Sequence, residues 1–510
     1  MKYFFTTLLC CIAIISFSQE IIDKADNYYN LKDYKSALKI YTDLYSKDST
    51  DAYINGQIGL CYANTLYAEI NAIQYIEKSF ETKKFKKNED LVFALATAYL
   101  HNHQFDKAIT LYESYCDLVK TDELKKIGNN KIENCINAQA LVKTPQDILF
   151  INQGKKINTE ESDVNPFITH DEKLLIYSSN YTSDFDIYIN IRKKIFNSWT
   201  ISQEISKDIN TDINQIVVGV DADGDNIYYT ENLENYELEN ISFQDFMFQS
   251  VSKLSENVNT DYNETGVTFI GTDTLIFSSD KPGGFGGTDL YYSIKLPDGS
   301  WGYSLNMGDL INSEFDENFP VFVKQNSTLY FSSNRPSSMG GYDIFLSVYN
   351  KNDSCWNLPK NFGYPLNNTY DQNTISFLEL NRYAYVSRYE NDSYGKEDIY
   401  KAVFKEIEPQ IIIFKIFIEV YDPSDKSIKN INECNTNLNI SLANVETGEI
   451  FGKYSFDKNK SFFVLSVPPG IYNLNITGEN YEDFEKTIFV EERYVEETLD
   501  DLKIELEIKE

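Results

Sequence analysis

Histidine is nearly absent from this 510-residue chain, which has only His101, His103 and His170. A His-rich metal centre or a His-based catalytic apparatus therefore has little to work with. Cationic side chains are also scarce, with 46 Lys and Arg against 78 Asp and Glu and a formal net charge of −32. Phosphate backbones and anionic lipids repel such a surface, so nucleic acid and direct adhesion to an acidic bilayer are excluded as ready partners. Of the seven cysteines, Cys10 and Cys11 lie in the first twenty residues. The other five (Cys61, Cys116, Cys135, Cys355, Cys434) contain no CxxC pair, which supports neither a zinc ribbon nor a disulfide framework. Past the first twenty residues no window of ~18 uncharged apolar residues occurs, so that part does not read as transmembrane. Aromatic residues, by contrast, are plentiful. The 38 Tyr and 33 Phe can fill large cores and favour β-structure. At ~150 residues per domain, the length suggests about three domains.

Residues 1–19 read as a cleavable signal peptide. Lys2 precedes an apolar run from Tyr3 to Ile15, and Ser16-Phe17-Ser18 has the small-x-small form of a cleavage site. The chain is thus expected in the periplasm. Lipidation at Cys10 or Cys11 is the alternative, although apolar residues continue past both.

Residues 20–144 carry apolar residues at helical spacing and no proline before Pro145. Small residues recur at Ala25, Gly59 and Ala96, each followed by Tyr28, Tyr62 or Tyr99. Ala37, Ala72 and Ala108 follow, then Tyr41, Ile76 and Tyr112. This period resembles three tetratricopeptide repeats and a final helix, with a generic helical bundle as the plainer alternative. Stacked helix pairs form a groove suited to a peptide or partner helix. Lys83, Lys84, Lys86 and Lys87 make a basic run that reads as a solvated loop or a docking patch.

Residues 145–405 switch to period-two alternation. A strand core recurs five times, as in Leu174–Asn180, Asn226–Asn232, Thr274–Asp280, Thr328–Asn334 and Tyr383–Arg388. An Asp before an apolar pair follows each, namely Asp186, Asp245, Asp289, Asp343 and Asp398. Asn158, Asn210, Asn259, Asn312 and Asn367 open the junctions between units. Four short strands per unit build a β-propeller, and Ile148–Ile151 is expected to complete the last blade and close the ring. The count gives five blades, or six if a degenerate unit was missed. Ser332-Ser333-Asn334-Arg335-Pro336 with Gly340-Gly341-Tyr342-Asp343, and Ser278–Pro282 with Gly286–Asp289, resemble the WD-like periplasmic repeats of TolB-type propellers.

An Asp present in every unit reads as a turn-fixing acceptor rather than a site. The second unit breaks the symmetry with Asp221-Ala222-Asp223-Gly224-Asp225, a DxDxD candidate for an oxygen-liganded cation such as calcium. Asn226 and Asn232 stand where a calcium loop would want Gly and Glu, and Asp-Gly also makes an ordinary hairpin. No cofactor is implied. No Gly-x-Ser-x-Gly elbow accompanies the repeats, so a prolyl-peptidase architecture is unsupported. Carboxylates lining a propeller funnel, as in glycan-cleaving enzymes, remain the alternative.

Residues 410–510 begin with the apolar strand Ile411–Val420, and further strands are expected through Leu502–Ile508. The turn Val467-Pro468-Pro469-Gly470-Ile471-Tyr472 and the later Gly478 and Tyr481 resemble the carboxypeptidase regulatory-like domain, a prealbumin-type β-sandwich without catalytic groups. In this order the parts resemble a group of Bacteroidota envelope proteins that includes the PorE component of type IX secretion and gliding machinery. That resemblance implies a non-enzymatic scaffold near the outer membrane, meeting envelope proteins through the helical groove and the propeller face. The group's usual OmpA-like domain has no counterpart before Glu510, so direct peptidoglycan anchoring is not implied.

Overall fold

The computed structural model describes residues 19–510 except 170–171, 183, 192–198, 206–208, 222–224, 232–235, 245–246, 325, 379–381, 408–411, 425, 431–437, 446, 449, 456–461, 491–501 and 510. Residues 1–18, His170, Asp223, Asp245 and Cys434 thus lie outside the described residues. No described helix is long and apolar enough to cross a membrane.

The first unit is helical: α1 (19–30), α2 (Tyr34–Tyr45), α3 (Ala52–Ala63), α4 (Ala72–Ser79), α5 (Glu89–His101), α6 (Phe105–Leu118) and α7 (Asp122–Leu141). Four of these starts are encoded locally. The side chains of Asp33, Asp51, Asn88 and Thr121 accept first-turn backbone N–H groups that would otherwise go unpaired. Small residues then set how closely the helices pack. Ala25, Ala37, Ala72, Ala96 and Ala108 are fully buried, and a Cβ on Gly59 would collide with Ile76 of α4. Tyr41, Ile76 and Tyr112, also fully buried, fill the gaps.

Five antiparallel sheets follow. The first holds Asp163–Ile168, Leu174–Ser179, Asp186–Ile191 and Gln203–Glu204, and the second Gln215–Val220, Asn226–Glu231, Leu238–Gln244 and Met247–Lys253. The third holds Glu264–Ile270, Thr274–Ser279, Asp289–Ile294 and Leu305–Asn306. In the fourth, Glu317–Val323, Thr328–Ser333 and Asp343–Asn350 are joined by Cys355–Trp356 and Lys360–Asn361. The fifth combines Ile375–Phe377, Tyr383–Arg388 and Asp398–Phe404 with Ile148–Asn152, which precedes the first sheet in the chain. That last pairing runs in register from Ile148 opposite Phe404 to Asn152 opposite Tyr400. The innermost strands touch in order, and the fifth touches the first. The result is a closed, propeller-like β domain of five blades with no open edge at the seam.

Apolar residues cement neighbouring blades. Ile176, Ile187, Val217 and Ile227 pack between the first and second, and Tyr177, Trp199, Tyr385 and Ile399 pack between the fifth and first. Each such side chain contributes roughly 1.5–3 kcal/mol on burial.

The last unit has two four-stranded sheets around one core. Ile412–Asp422 pairs antiparallel with Ser427–Asn430 and Phe462–Val467 and parallel with Leu502–Glu507. Leu438–Asn444 pairs with Ile450–Ser455 and Gly470–Gly478, and the latter with Tyr481–Val490. The Pro-Pro-Gly turn is tied by the buried Tyr472, whose hydroxyl donates to Pro468 O at 2.8 Å.

Candidate functional site

The repeated Asp sits at the start of the third strand in four blades and is buried in each. Asp289 accepts the N–H groups of Phe285 and Gly286 at 2.6 and 3.0 Å. Asp398 accepts those of Tyr394 and Gly395 at 2.8 and 3.2 Å. Asp343 accepts the Met339 N–H at 2.8 Å, and Asp186 the Thr182 hydroxyl at 2.6 Å. An outer-strand Asn also donates to three of them: Asn306 to Asp289, Asn361 to Asp343 and Asn152 to Asp398. These carboxylates hold turns together.

The junction Asn residues form a second polar layer. Asn158, Asn210, Asn259, Asn312 and Asn367 each bond both backbone groups of one third-strand residue, respectively Ile399, Ile187, Leu238, Leu290 and Ile344. Five residues after each Asn comes a buried Asp163, Gln215, Glu264, Glu317 or Gln372, which accepts the N–H of the residue following the Asn. The constant spacing of five would have revealed this set. The run Asn-x-Gly-x-x-x-Asn at residues 152–158, 306–312 and 361–367 would likewise have revealed the Asn partners of the turn Asp.

The second blade requires a correction. The Asn259 latch grips Leu238, so the position equivalent to the turn Asp is Glu237 and not Asp245. Thr230 pairs with Leu238 as Ser278 pairs with Leu290, which fixes the same register. Glu237 takes an ion pair with Lys253 where other blades use an Asp–Asn hydrogen bond. In the DxDxD segment, Asp221 Oδ1 accepts the Asn226 N–H at 3.1 Å and Oδ2 the Asn226 amide at 2.6 Å. Both Asp221 oxygens therefore staple the hairpin. Asp225 takes no part in this staple, and among the described residues no group of three or more His, Cys, Asp or Glu is placed to hold a metal.

Backbones of neighbouring innermost strands approach each other closely at two glycines. A Cβ on Gly219 would lie 2.6 Å from Val267 O, and one on Gly266 would lie 2.8 Å from Phe319 Cα. The carboxylates at the heads of the inner strands (Asp163, Glu264, Glu317) are buried within the junction hydrogen bonds.

A joint between helices and ring forms a further polar site among the described residues, one that sequence reasoning missed. Met339, from the fourth-blade turn, is fully buried in the helical core beside Tyr99, Phe105 and Ala138. Around it, Lys131 of α7 donates to Gly340 O at 2.7 Å, and Asn134 donates to Pro336 O and Ser338 O at 3.2 and 3.0 Å. His101, at the end of α5, stacks on Tyr370 at 4.1 Å and meets the Thr369 hydroxyl at 3.2 Å. Burial and the nearby Lys131 push its imidazole down to about 3, so it stays neutral. Tyr67 stacks on Tyr389 at 4.3 Å and donates to Glu397 Oε1 at 2.7 Å. The Lys83–Lys87 run lies exposed at the other end of α5.

No family model matches the chain, and no curated protein matches it. Solved structures to which it is similar include TolB from Acinetobacter baumannii (15% identity, 56% of this chain and 71% of that one, TM-score 0.32). Another is a putative TolB from Agrobacterium tumefaciens (11% identity, 63% and 98%, TM-score 0.32). An alpha-L-arabinofuranosidase from Lactobacillus brevis is also similar (11% identity, 50% and 94%, TM-score 0.35).

Proposed function

We propose that the chain is a non-enzymatic scaffold of the periplasm, exported by its leader and associated with an outer-membrane assembly of the type IX secretion or gliding kind. In this reading the helices are tetratricopeptide-type repeats, the ring is a TolB-type propeller and the last unit is a regulatory-like sandwich. The joint is the observation that supports it. While docked on one part of the ring through Met339, Lys131 and Tyr67, the helical unit would hold two recognition surfaces at a set separation. Partners would be envelope proteins bearing basic surface, or ones that avoid the acidic faces.

The test is to cross-link purified residues 20–510 to solubilised envelope proteins, identify the partners, and screen glycan binding and hydrolysis alongside. Recovery of the same envelope proteins in repeated experiments supports the scaffold. Glycan turnover abolished by a single carboxylate substitution in the ring would overturn it.

A further inference from the structure

Three buried carboxylate oxygens lack a hydrogen-bond partner among the described residues, and all three belong to the helix–ring joint: Glu69 Oε2, Asp343 Oδ1 and Glu397 Oε2. Leaving such an atom unpaired costs ~1–3 kcal/mol, and more if it is charged. Asp343 lies at the point where the helices meet its turn. Its counterparts Asp289 and Asp398 each receive two turn N–H bonds, whereas Asp343 receives one, and the carbonyl of its turn glycine, Gly340, is taken by Lys131.

The joint is also unbalanced in charge. The helical side presents Tyr67, Glu69, His101, His103, Lys126 and Lys131, and the ring presents Glu314, Asp343, Tyr370, Asp371, Tyr389 and Glu397. Lys126 pairs with Glu314 in solvent, and both histidines are driven toward neutrality by burial. Lys131 is then the remaining ammonium facing Asp343 and Asp371. Glu69 is bonded to Tyr370, which carries no charge to offset it.

We propose that this joint is a proton-controlled lock: protonated Glu69 and Asp343 hold the helices on the ring, and their ionisation as pH rises releases them. The direction follows from burial, which pushes Glu69 up to about 7 and Asp343 up to about 8. A carboxyl group raised in the docked state binds more protons docked than free. Docking is therefore tightest below the ordinary carboxylate range and is lost as pH passes 7 to 8. Release uncovers Met339 and the Tyr67–Tyr370–Tyr389 cluster, a surface closed to partners while the lock holds.

Met339 oxidation reads the lock directly, because a buried thioether resists peroxide and an exposed one does not. In the full chain, peroxide oxidation of Met339, normalised to Met307 and followed by mass spectrometry, should rise about tenfold or more between pH 5.5 and pH 9, one pKa unit being tenfold in population. Circular dichroism should show helix content unchanged. Glu69→Gln with Asp343→Asn should abolish the rise. Glu69→Gln alone, which leaves the fourth-blade turn intact, should move its midpoint to higher pH. A rate ratio equal at both pH values, or a rise that persists in the Glu69→Gln protein with the same midpoint, overturns the proposal.

Discussion

Asn367 grips Ile344 at both of its backbone groups: the Ile344 N–H donates to Asn367 Oδ1, and Asn367 Nδ2 donates to Ile344 O, each at 2.8 Å. Ile344 is 1% exposed, so water cannot replace either bond. Asn367→Ala should therefore destabilise the ring by about 2–5 kcal/mol, since each orphaned group costs ~1–3. Urea denaturation of the full chain, followed by tryptophan fluorescence, measures it. The exposed turn variant Asn352→Ala serves as control and should shift stability by under ~0.5 kcal/mol. Equal shifts for the two would mean that the latch is decorative.

Lys253 and Glu237 are the opposite case. They replace the buried Asp–Asn bond of other blades, but their side chains are 59% and 39% exposed. Ion pairs this open to solvent are worth ~0–1 kcal/mol. Lys253→Ala should accordingly move the midpoint little, and 0.5 M salt should remove what effect there is. A loss comparable to that of Asn367→Ala would show that the second blade depends on this pair.

The same contrast explains what was legible in the sequence. The ring could be read because its closure rests on local, repeated signals: alternating strand cores, a turn Asp, and a junction Asn ahead of each blade. Register failed only in the second blade, where Glu stands in place of Asp, only six residues after the core strand instead of seven to ten, and a DF pair further on mimics the motif. Ser427–Asn430 and Ile450–Ser455 carry little strand signal, the first because Ile428 is its lone apolar residue and the second because the adjacent Ile450 and Phe451 break the alternation. The joint was illegible for a different reason. Its bonds span about 200 to 330 positions, as in Lys131 to Gly340 and Tyr67 to Glu397, and Met339 follows two serines with no apolar neighbour in sequence to mark it as core.

Met339 carries the apolar part of that joint, and its removal separates docking from folding. Met339→Ala should weaken docking by ~2–4 kcal/mol through the cavity it leaves. The helices keep their own caps and core, so they should stay folded. Limited proteolysis should then cut between α7 and the first ring strand, near residues 143–147, faster than in the parent chain, with far-ultraviolet circular dichroism unchanged. Unaltered cleavage would mean that the polar contacts of Lys131 and Asn134 suffice.

Asp163 offers a pH test confined to the ring. It occupies the junction position held by Glu264 and Glu317 in two blades and by Gln215 and Gln372 in the others. Glu317 is paired with Arg335 at 2.8 Å, and Lys281 lies near Glu264, but the first blade has Tyr181 at the matching place after its Ser-Ser-Asn. Burial, with a further push from Asp398, therefore raises Asp163 to about 7. Its folded value lies above its unfolded one, so the stability it confers is complete below about pH 4 and lost as pH rises through 7. An amide at this site suffers no such loss, and Gln215 already shows that one fits, accepting the Thr211 N–H through its oxygen and donating to the Thr211 hydroxyl. Asp163→Asn should thus gain on the parent chain as pH rises from about 4, and its advantage should be larger at pH 8 than at pH 5 by on the order of 2–3 kcal/mol. Urea midpoints at the two pH values decide this, and an identical gap at both would remove Asp163 ionisation as the cause.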